Sequence, residues 1–431
     1  MSKEVKIAIM GFGTVGTGTY KILKENAELI SCQAGGEIKV EKVLVRDRNK
    51  KRSVEVCDDL ITTDADEILE DPSIGIVVEL MGGLEPAYTY IMKALDKGKH
   101  VVTANKELIA KKGREILAKA DSKGLSFCFE ASVCGGIPII RAFKTSLAGD
   151  RIKRIMGIVN GTTNYILTKM AQQGSEYEEA LKQAQDKGYA EADPTADVEG
   201  FDAAYKMAIL SSIGFHSKVD IDKVKREGIS KISKTDIEYG KELGWTIKLL
   251  GIAKDVDGRL EVSVSPVMLP KEHPLALVNG VNNAVFVNSE AVGELMFYGP
   301  GAGQMATGNS VAADIIDIAR DILLGNGMKT NCSCFEDKDF SEESKISYYT
   351  RINVVNKPGV LAQIAAVFGN YGVSIESVLQ KKTEGDRAEI VWITSKVEES
   401  SFRKAIMTVE SLEVVKKVSS IIRVEANDFA N

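Results

Sequence analysis

Repeated strand and helix patterns in the first 150 residues, a glycine-rich turn directly after the first strand, and a βαββαβ pattern that restarts near residue 347 predict an α/β chain. Three parts are expected: residues 1–150, completed by a helix at about 304–325, as a doubly wound parallel domain; 151–303 as an α+β domain; and 347–425 as a ferredoxin-like module after a linker at 326–346. At 431 residues the chain exceeds the usual size of one hydrophobic core, which agrees with several domains.

Composition narrows the function. The chain is 44% hydrophobic and 27% charged, ordinary values for a globular protein. A net charge of -6 leaves no surplus of basic surface for nucleic acid or anionic lipid, so neither is an expected partner. The opening "MSKEVKIAIMGFG" carries charges at Lys3, Glu4 and Lys6 and lacks the layout of a secretion signal. No segment approaches the roughly 20 apolar residues that span a bilayer, and a cytoplasmic protein is expected. Cys332 and Cys334 are the only close pair of six cysteines, so no disulfide framework is expected. His100, His216 and His273 are scattered, which does not suit a zinc site.

The first element, Val5 to Met10, reads as a buried strand, and "GFGTVG" follows it before a helical stretch. Gly11, Gly13 and Gly16 fit G-x-G-x-x-G in the strand–turn–helix context that gives this motif meaning, with Phe12, Thr14 and Val15 between them. Gly11 permits the tight turn, Gly13 lets the backbone approach a pyrophosphate, and Gly16 allows close helix packing, as in a Rossmann-type dinucleotide site. The helix start offers N–H donors and positive partial charge to phosphate. A second strand should end at Val45, where an acid would hold the adenosine ribose. Arg46 stands there instead and favours a 2′-phosphate, hence NADP over NAD, while Asp47 keeps NAD open. Further strands "IGIVVELMGG", "HVVTANKELIAKKG" and "SFCFEASVCGGIPII" extend the sheet, with Thr103 and Lys106 just past the end of one of them.

Residues 188–206, "GYAEADPTADVEGFDAAYK", gather five carboxylates ahead of Lys206. Asp202 and Lys206 are four apart and share one face of a helix. Asp193 before Pro194 suits a turn, and Asp197 and Glu199 are open between ligand contact and helix start. A lysine is a poor acid–base group at its free pKa of about 10.4. Desolvation and a like charge such as Lys106 would lower it, whereas Asp202 would raise it.

Together "GFGTVG", "TANKELIA", "EASVCGGIPI", "NGTTNYIL" and "YAEADPTADVEGFDAAYK" resemble homoserine dehydrogenase, in that family's order and over about the first 325 residues. The resemblance implies reversible NAD(P)H-dependent reduction of L-aspartate 4-semialdehyde to L-homoserine, in threonine, isoleucine and methionine biosynthesis. It implies Lys206 as proton donor with Lys106 as its partner near the nicotinamide. It also implies Glu191 in contact with the substrate, where it suits the ammonium; Asp202 is a further substrate-binding candidate, and Gly161, Thr162 and Thr163 stand at a helix mouth that suits the carboxylate. It further implies a monovalent cation, Na+, on Glu130 and the carbonyls of Val133, Gly135 and Ile137, oxygen ligands that suit a hard ion. A glycine loop at Gly299, Gly301 and Gly303 returns to the cofactor in that family, and a homodimer or homotetramer is implied.

Cys134 raises a rival, a thiolate-dependent acylating aldehyde dehydrogenase, but no histidine lies in a matching motif to serve as its base. A second rival is a nucleotide-binding sensor without chemistry. The presence of Glu191, Asp202, Lys206 and Lys106 speaks against it.

The last part, "NKPGVLAQIAAVFGNYGVSIESV", looks like an ACT domain, a module that typically binds amino acids between paired copies. Asn356, Gly359, Val360 and Leu361 lie where such domains form the effector loop, with Ser374 and Ile375 on the facing strand. L-Threonine is the expected effector by the logic of the pathway, and a module used only for assembly is the alternative.

Overall fold

The computed structural model describes residues 4–325, 337–341 and 343–425. The chain divides into two compact units, Met1–Ile155 with Ala204–Val224 and Asn282–Lys338, and Met156–Ala203 with Lys225–Val281 and Asp339–Asn431.

The first unit opens with β1 (Glu4–Met10), α1 (Thr14–Glu25), α2 (Ala27–Ala34), β2 (Glu37–Leu44) and β3 (Ile61–Thr62). Then come α3 (Asp66–Leu69), β4 (Ile74–Glu79), α4 (Ala87–Asp96), β5 (His100–Thr103), α5 (Lys106–Lys123) and β6 (Phe127–Cys128). The strands are parallel in the order β3-β2-β1-β4-β5-β6. The order reverses between β1 and β4, the switch point where such sheets take their ligands. Ile7 to Met10 and Ile76 to Glu79 are buried, as expected of strands covered on both faces.

After α6 (Ile139–Arg141), β7 (Ile152–Ile158) passes from the first unit into the second. There follow α7 (Gly161–Gln173), α8 (Tyr177–Asp186), α9 (Thr195–Val198) and α10 (Phe201–Gly214), whose residues from Ala204 on belong to the first unit, and then β8 (Lys225–Arg226) and α11 (Lys234–Glu242) in the second. The long hairpin of β9 (Trp245–Val256) and β10 (Arg259–Pro270) turns on Asp257 and Gly258 alone, both at positive φ, 52° and 82°. Asp-Gly is the dipeptide that suits such a two-residue turn.

β11 (Asn282–Ser289), β12 (Gly293–Pro300) and α12 (Gln304–Leu324) belong to the first unit. Helices α1 and α12 cross where neither can carry a side chain, since a Cβ on Gly18 would lie 1.9 Å from the Gln304 carbonyl oxygen. This crossing completes the nucleotide domain with the predicted helix, and Ile315, Ile318 and Ala319 join its core.

The C-terminal part comprises β13 (Lys345–Val355), α13 (Val360–Asn370), β14 (Ile375–Glu384), β15 (Arg387–Thr394), β16 (Val397–Glu398), α14 (Glu399–Glu410) and β17 (Val415–Val424). Its strands run β17-β13-β15-β14, antiparallel, over a core that includes Trp392, Phe368 and Phe402. The ferredoxin-like pattern read from the sequence is present, with β16 as a short addition on β13.

The sheet continues past this module. β17 pairs in parallel with β10 at Val267–Arg423 and Met268–Val424, so in the second unit the order is β9-β10-β17-β13-β15-β14. Part of the expected linker is also held: the Leu260 N–H donates to the Asp339 carbonyl at 2.9 Å, and the Ser341 N–H to the Leu260 carbonyl at 2.9 Å. Residues 326–336 and 342 of that linker, with Cys332 and Cys334, lie outside the described residues.

A buried ionic network adds a second tie between α11 and the module. Asp236 is fully buried and accepts from Arg351 Nε at 2.8 Å and from the Tyr349 hydroxyl at 3.1 Å. Arg351 Nη1 donates to Glu389 at 2.8 Å, and Glu389 accepts from the Tyr239 hydroxyl at 2.9 Å. Asp236 also forms a capping box with Ser233 at the start of α11.

Candidate active site

The nucleotide turn has the shape its glycines require. Gly11 takes φ 102°, and a Cβ there would lie 2.6 Å from the Leu80 carbonyl oxygen; one on Gly16 would lie 2.2 Å from the Gly11 oxygen. Gly13 is exposed and has open space where its Cβ would be, which leaves room for a ligand against the backbone. Helix α1 starts on Gly13 without a side-chain cap, an N-terminus suited to phosphate. Phe12 and Val15 pack on the core below, and Thr14 is exposed. Arg46 is exposed just after β2.

At the carboxyl ends of β4 and β5, one buried acid shapes two loops. Glu79 accepts from the Met81 N–H at 2.7 Å, the Gly82 N–H at 3.2 Å and the Thr103 hydroxyl at 2.6 Å. The Thr103 oxygen in turn accepts from the Asn105 N–H, and Asn105 caps α5 through the Leu108 N–H. Lys106, half-buried, is the first residue of that helix. The side chain of Thr103 is thus engaged in holding the loop that presents Lys106.

Residues 130–137 form a tight turn in the same unit. Both oxygens of Glu130 accept backbone N–H groups, from Ile140 at 2.9 Å and Arg141 at 2.6 Å. Burial and the neighbouring Asp314 push its carboxyl up to about 7, and burial pushes Asp314 up to about 6. The carbonyl of Gly135 accepts from the Ser310 hydroxyl at 2.7 Å. A Cβ on Gly135 would lie 2.6 Å from the Gly301 oxygen, so this turn and the loop leading to Gly303, the N-cap of α12 at φ 127°, are fitted backbone to backbone. Cys134 is buried within the turn at φ 53°.

In the second unit, Asn160 organises the acid-rich segment. It caps α7 through the Thr163 N–H at 2.9 Å, while its amide donates to Asp197 at 2.7 Å and to Asp202 at 2.8 Å. Asp197 therefore serves this cluster and not merely a helix start. Asp202 is buried in the first turn of α10, and Lys206, also buried, follows one turn later on the same helix. The Thr162 hydroxyl donates to the Tyr189 carbonyl at 2.7 Å, which leaves the main chain of Gly161 and Thr162 as what the helix mouth offers. The Glu191 side chain is exposed, and Asp193 forms the expected turn by accepting from the Thr195 N–H at 3.1 Å.

Gly161 is pressed on by residues 278–281, for a Cβ on it would meet the Val281 oxygen at 2.5 Å. That loop is held by Lys248, 1% exposed on β9, whose Nζ donates to Asn164 Oδ1 at 3.0 Å and to the Val278 carbonyl at 2.5 Å. Burial lowers the Lys248 amine to about 8. A depressed lysine costs stability while it is charged, so its contribution improves as pH rises from about 8 toward the free value near 10.4. Thermal unfolding followed from pH 7 to 10 should therefore show the wild type gaining on Lys248→Met as pH rises. A constant difference between the two across that range would contradict it.

In the C-terminal module, Asn356, Gly359, Leu361 and Ser374 are exposed and Ile375 is half-buried. Gly359 is the N-cap of α13 at φ 87°, and the Asn356 N–H donates to the Asp386 carbonyl at 2.7 Å. The Val360 side chain is buried in the module's core, so only its main chain is left for an effector.

Comparison with known proteins bears on these sites. Residues 138–316 match the model of homoserine dehydrogenase, residues 11–130 that of the homoserine dehydrogenase NAD-binding domain, and residues 348–414 that of the ACT domain. The homoserine dehydrogenase of Bacillus subtilis is 45% identical over 99% of this chain and 100% of its own. The chain belongs to the homoserine dehydrogenase family.

That of Pseudomonas aeruginosa is 42% identical over 98% of this chain and 99% of its own. Among solved structures, a homoserine dehydrogenase from Thiobacillus denitrificans superposes with a TM-score of 0.93 at 40% identity, covering 98% of both chains. A hyperthermophilic archaeal homoserine dehydrogenase mutant, solved in complex with NADPH, has a TM-score of 0.63 at 28% identity over 76% of this chain and 100% of its own. As a homoserine dehydrogenase, this chain is an NAD(P)-dependent oxidoreductase acting on a CH–OH group, interconverting L-aspartate 4-semialdehyde and L-homoserine. The thiolate rival and the sensor without chemistry are thereby set aside. Among the described residues, no helix is long and apolar enough to cross a membrane.

Three residues of this homoserine dehydrogenase escaped the sequence reading: Asn160, Glu79 and Lys248. Asn160 carried a signal, being a capping residue directly before the "GTTNYIL" helix. Glu79 also did, as an acid ending an apolar strand. Lys248 in "WTIKLLGIA" reads as the polar half of an alternating strand, and its partners lie far away in the sequence.

Proposed function

We propose that the chain works preferentially with NADPH, that Lys206 gives the proton to the aldehyde oxygen during reduction, and that Lys106 assists it. The observation that carries this reading is the Asn160 cluster, which ties Asp197 of α9 to Asp202 in the turn of α10 that precedes a buried lysine. A bound nicotinamide supplies the hydride. The protein's part is to orient the semialdehyde and provide one proton, so that hydride and proton together convert the aldehyde to the alcohol. Asp202, Asp197 and Glu191 suit the substrate ammonium. The N–H groups of Gly161 and Thr162 at the start of α7 suit its carboxylate.

The turn at residues 130–137 suits a monovalent cation, Na+, on Glu130 and the carbonyls of Val133, Gly135 and Ile137. Supporting this, the Arg141 guanidinium is shared by Asp314 and Asp317, while the buried Glu130 carboxyl beside them is held by backbone N–H groups. The ion would supply charge balance only. In the same reading L-threonine acts at residues 356–361 and 374–375 of the module. A homodimer or homotetramer in the cytoplasm is proposed too, and Val292, Met296 and Tyr298, exposed on and beside β12, are consistent with a subunit contact.

The test is cofactor choice, followed as NADPH or NADH oxidation with aspartate semialdehyde. The archaeal complex with NADPH favours NADPH here, as does the exposed Arg46 where an acid would hold the ribose. Arg46→Ala should raise KM for NADPH about 10- to 100-fold, the scale of a charge-assisted hydrogen bond, and KM for NADH little. Equal effects on both cofactors would remove Arg46 from the 2′-phosphate.

A further inference from the structure

A cavity of about 530 Å³ lies within the second unit, lined by residues of β8, β10, α14 and β17. Its floor can be placed from the strand registers. Ser263 pairs with Lys225 and Val267 with Arg423, and residues 263, 265 and 267 share one face of β10. Ser263, Ser265, Lys225 and Arg423 therefore stand on the same side. Arg423 Nη1 donates to Ser263 Oγ at 3.0 Å, which draws its guanidinium along the strand past Ser265. Ser265 lines the cavity at 3% exposure, and its hydroxyl has no hydrogen-bond partner. A buried hydroxyl without a partner is uncommon and calls for a ligand or water.

Charge identifies what would fit. Lys225, Arg226, Arg403 and Arg423 line the cavity with Glu227, Glu343 and Glu399, but Arg226, on the opposite face of β8 from Lys225, donates to the Glu199 carbonyl and lies over the Phe201 ring. Glu399 is already satisfied by Lys225 at 2.9 Å and by Arg403 at 2.6 Å. Arg423, whose bond to Ser263 is to a neutral oxygen, retains donors in the planar arrangement that matches a carboxylate.

We propose that this cavity is a binding site for a small carboxylate, held by the Arg423 guanidinium and the Ser265 hydroxyl. It is separate from the residues assigned above to substrate, cofactor and threonine, and it does not depend on those assignments. The carboxylate can belong to a free organic acid or to an amino acid, whose ammonium Glu227 or Glu343 would meet.

Calorimetric titration of the full chain with malonate and, separately, with glycine distinguishes these sources. Saturable binding of malonate alone assigns a free acid, and binding of glycine assigns an amino acid. In either case Arg423→Gln should weaken binding at least 10-fold and Ser265→Ala about 3-fold. Ser265→Ala removes a hydroxyl that makes no internal bond, so this variant should fold and unfold as the wild type does and keep the test decisive if Arg423→Gln is unstable. Absence of saturable binding by both ligands at millimolar concentration, or binding unchanged by Ser265→Ala in a folded protein, overturns the proposal.

Discussion

Lys206→Ala should lower kcat by about 10²-fold or more, the usual scale for loss of an acid–base group, while the enzyme remains folded. Lys206 sits on α10 between Ala203, Ala204, Met207 and Ala208, all buried, so alanine continues an apolar helix and favours its conformation. The main loss should be in kcat, because the proton is transferred at the transition state and substrate contacts are assigned to other residues. Lys206→Arg should not restore the rate, since a guanidinium stays protonated and gives up no proton near neutrality. Steady-state oxidation of NADPH across the pH range, with circular dichroism to verify folding, is the measurement. Near-normal turnover by a folded Lys206→Ala enzyme at all pH values would end the assignment.

Asp236→Ala should cost about 3–5 kcal/mol, the range found when one member of a buried ion pair is removed. The variant strands Arg351, leaves the Tyr349 hydroxyl without that acceptor and removes the capping box of α11. Urea unfolding followed by the fluorescence of Trp392, in the core of the C-terminal module, should move to a markedly lower midpoint. Replacing both partners, as in Asp236→Leu with Arg351→Met, should recover most of the loss, because no buried charge is then left over. An unchanged midpoint in Asp236→Ala would show that the pair contributes nothing to holding α11 against β13.

The contrast between these two sites shows what the sequence could carry. Lys206 was legible because its helix follows a run of acids in a fixed local pattern, and the glycines of "GFGTVG" were legible because strand, turn and helix stand side by side in the chain. The βαββαβ order of the last part was readable for the same reason. Asp236 was not, since its partners Tyr349 and Arg351 are 113 and 115 residues away and nothing local marks α11 as their counterpart. The seam between β10 and β17 was hidden likewise, and the polar stretch before Lys345 reads as a linker, whereas Asp339 and Ser341 within it are hydrogen-bonded to Leu260. Thr162 was read as a ligand through its position at a helix mouth, but its hydroxyl is used on Tyr189, a partner that only the fold brings near.

The pairing of β17 with β10 also orders events during synthesis. β10 leaves the ribosome long before residues 415–424 exist, and until then the stretch of its edge at Val267 and Met268, beyond the short pairing of Ser263 and Val264 with β8, lacks its strand partner. Such an edge is a template for pairing with another chain. The second unit thus cannot finish folding as its residues emerge, and the nascent protein passes through an interval in which aggregation competes with completion. A slower ribosome over the C-terminal region would lengthen that interval, so the yield of active enzyme should depend on how quickly the last strand is made.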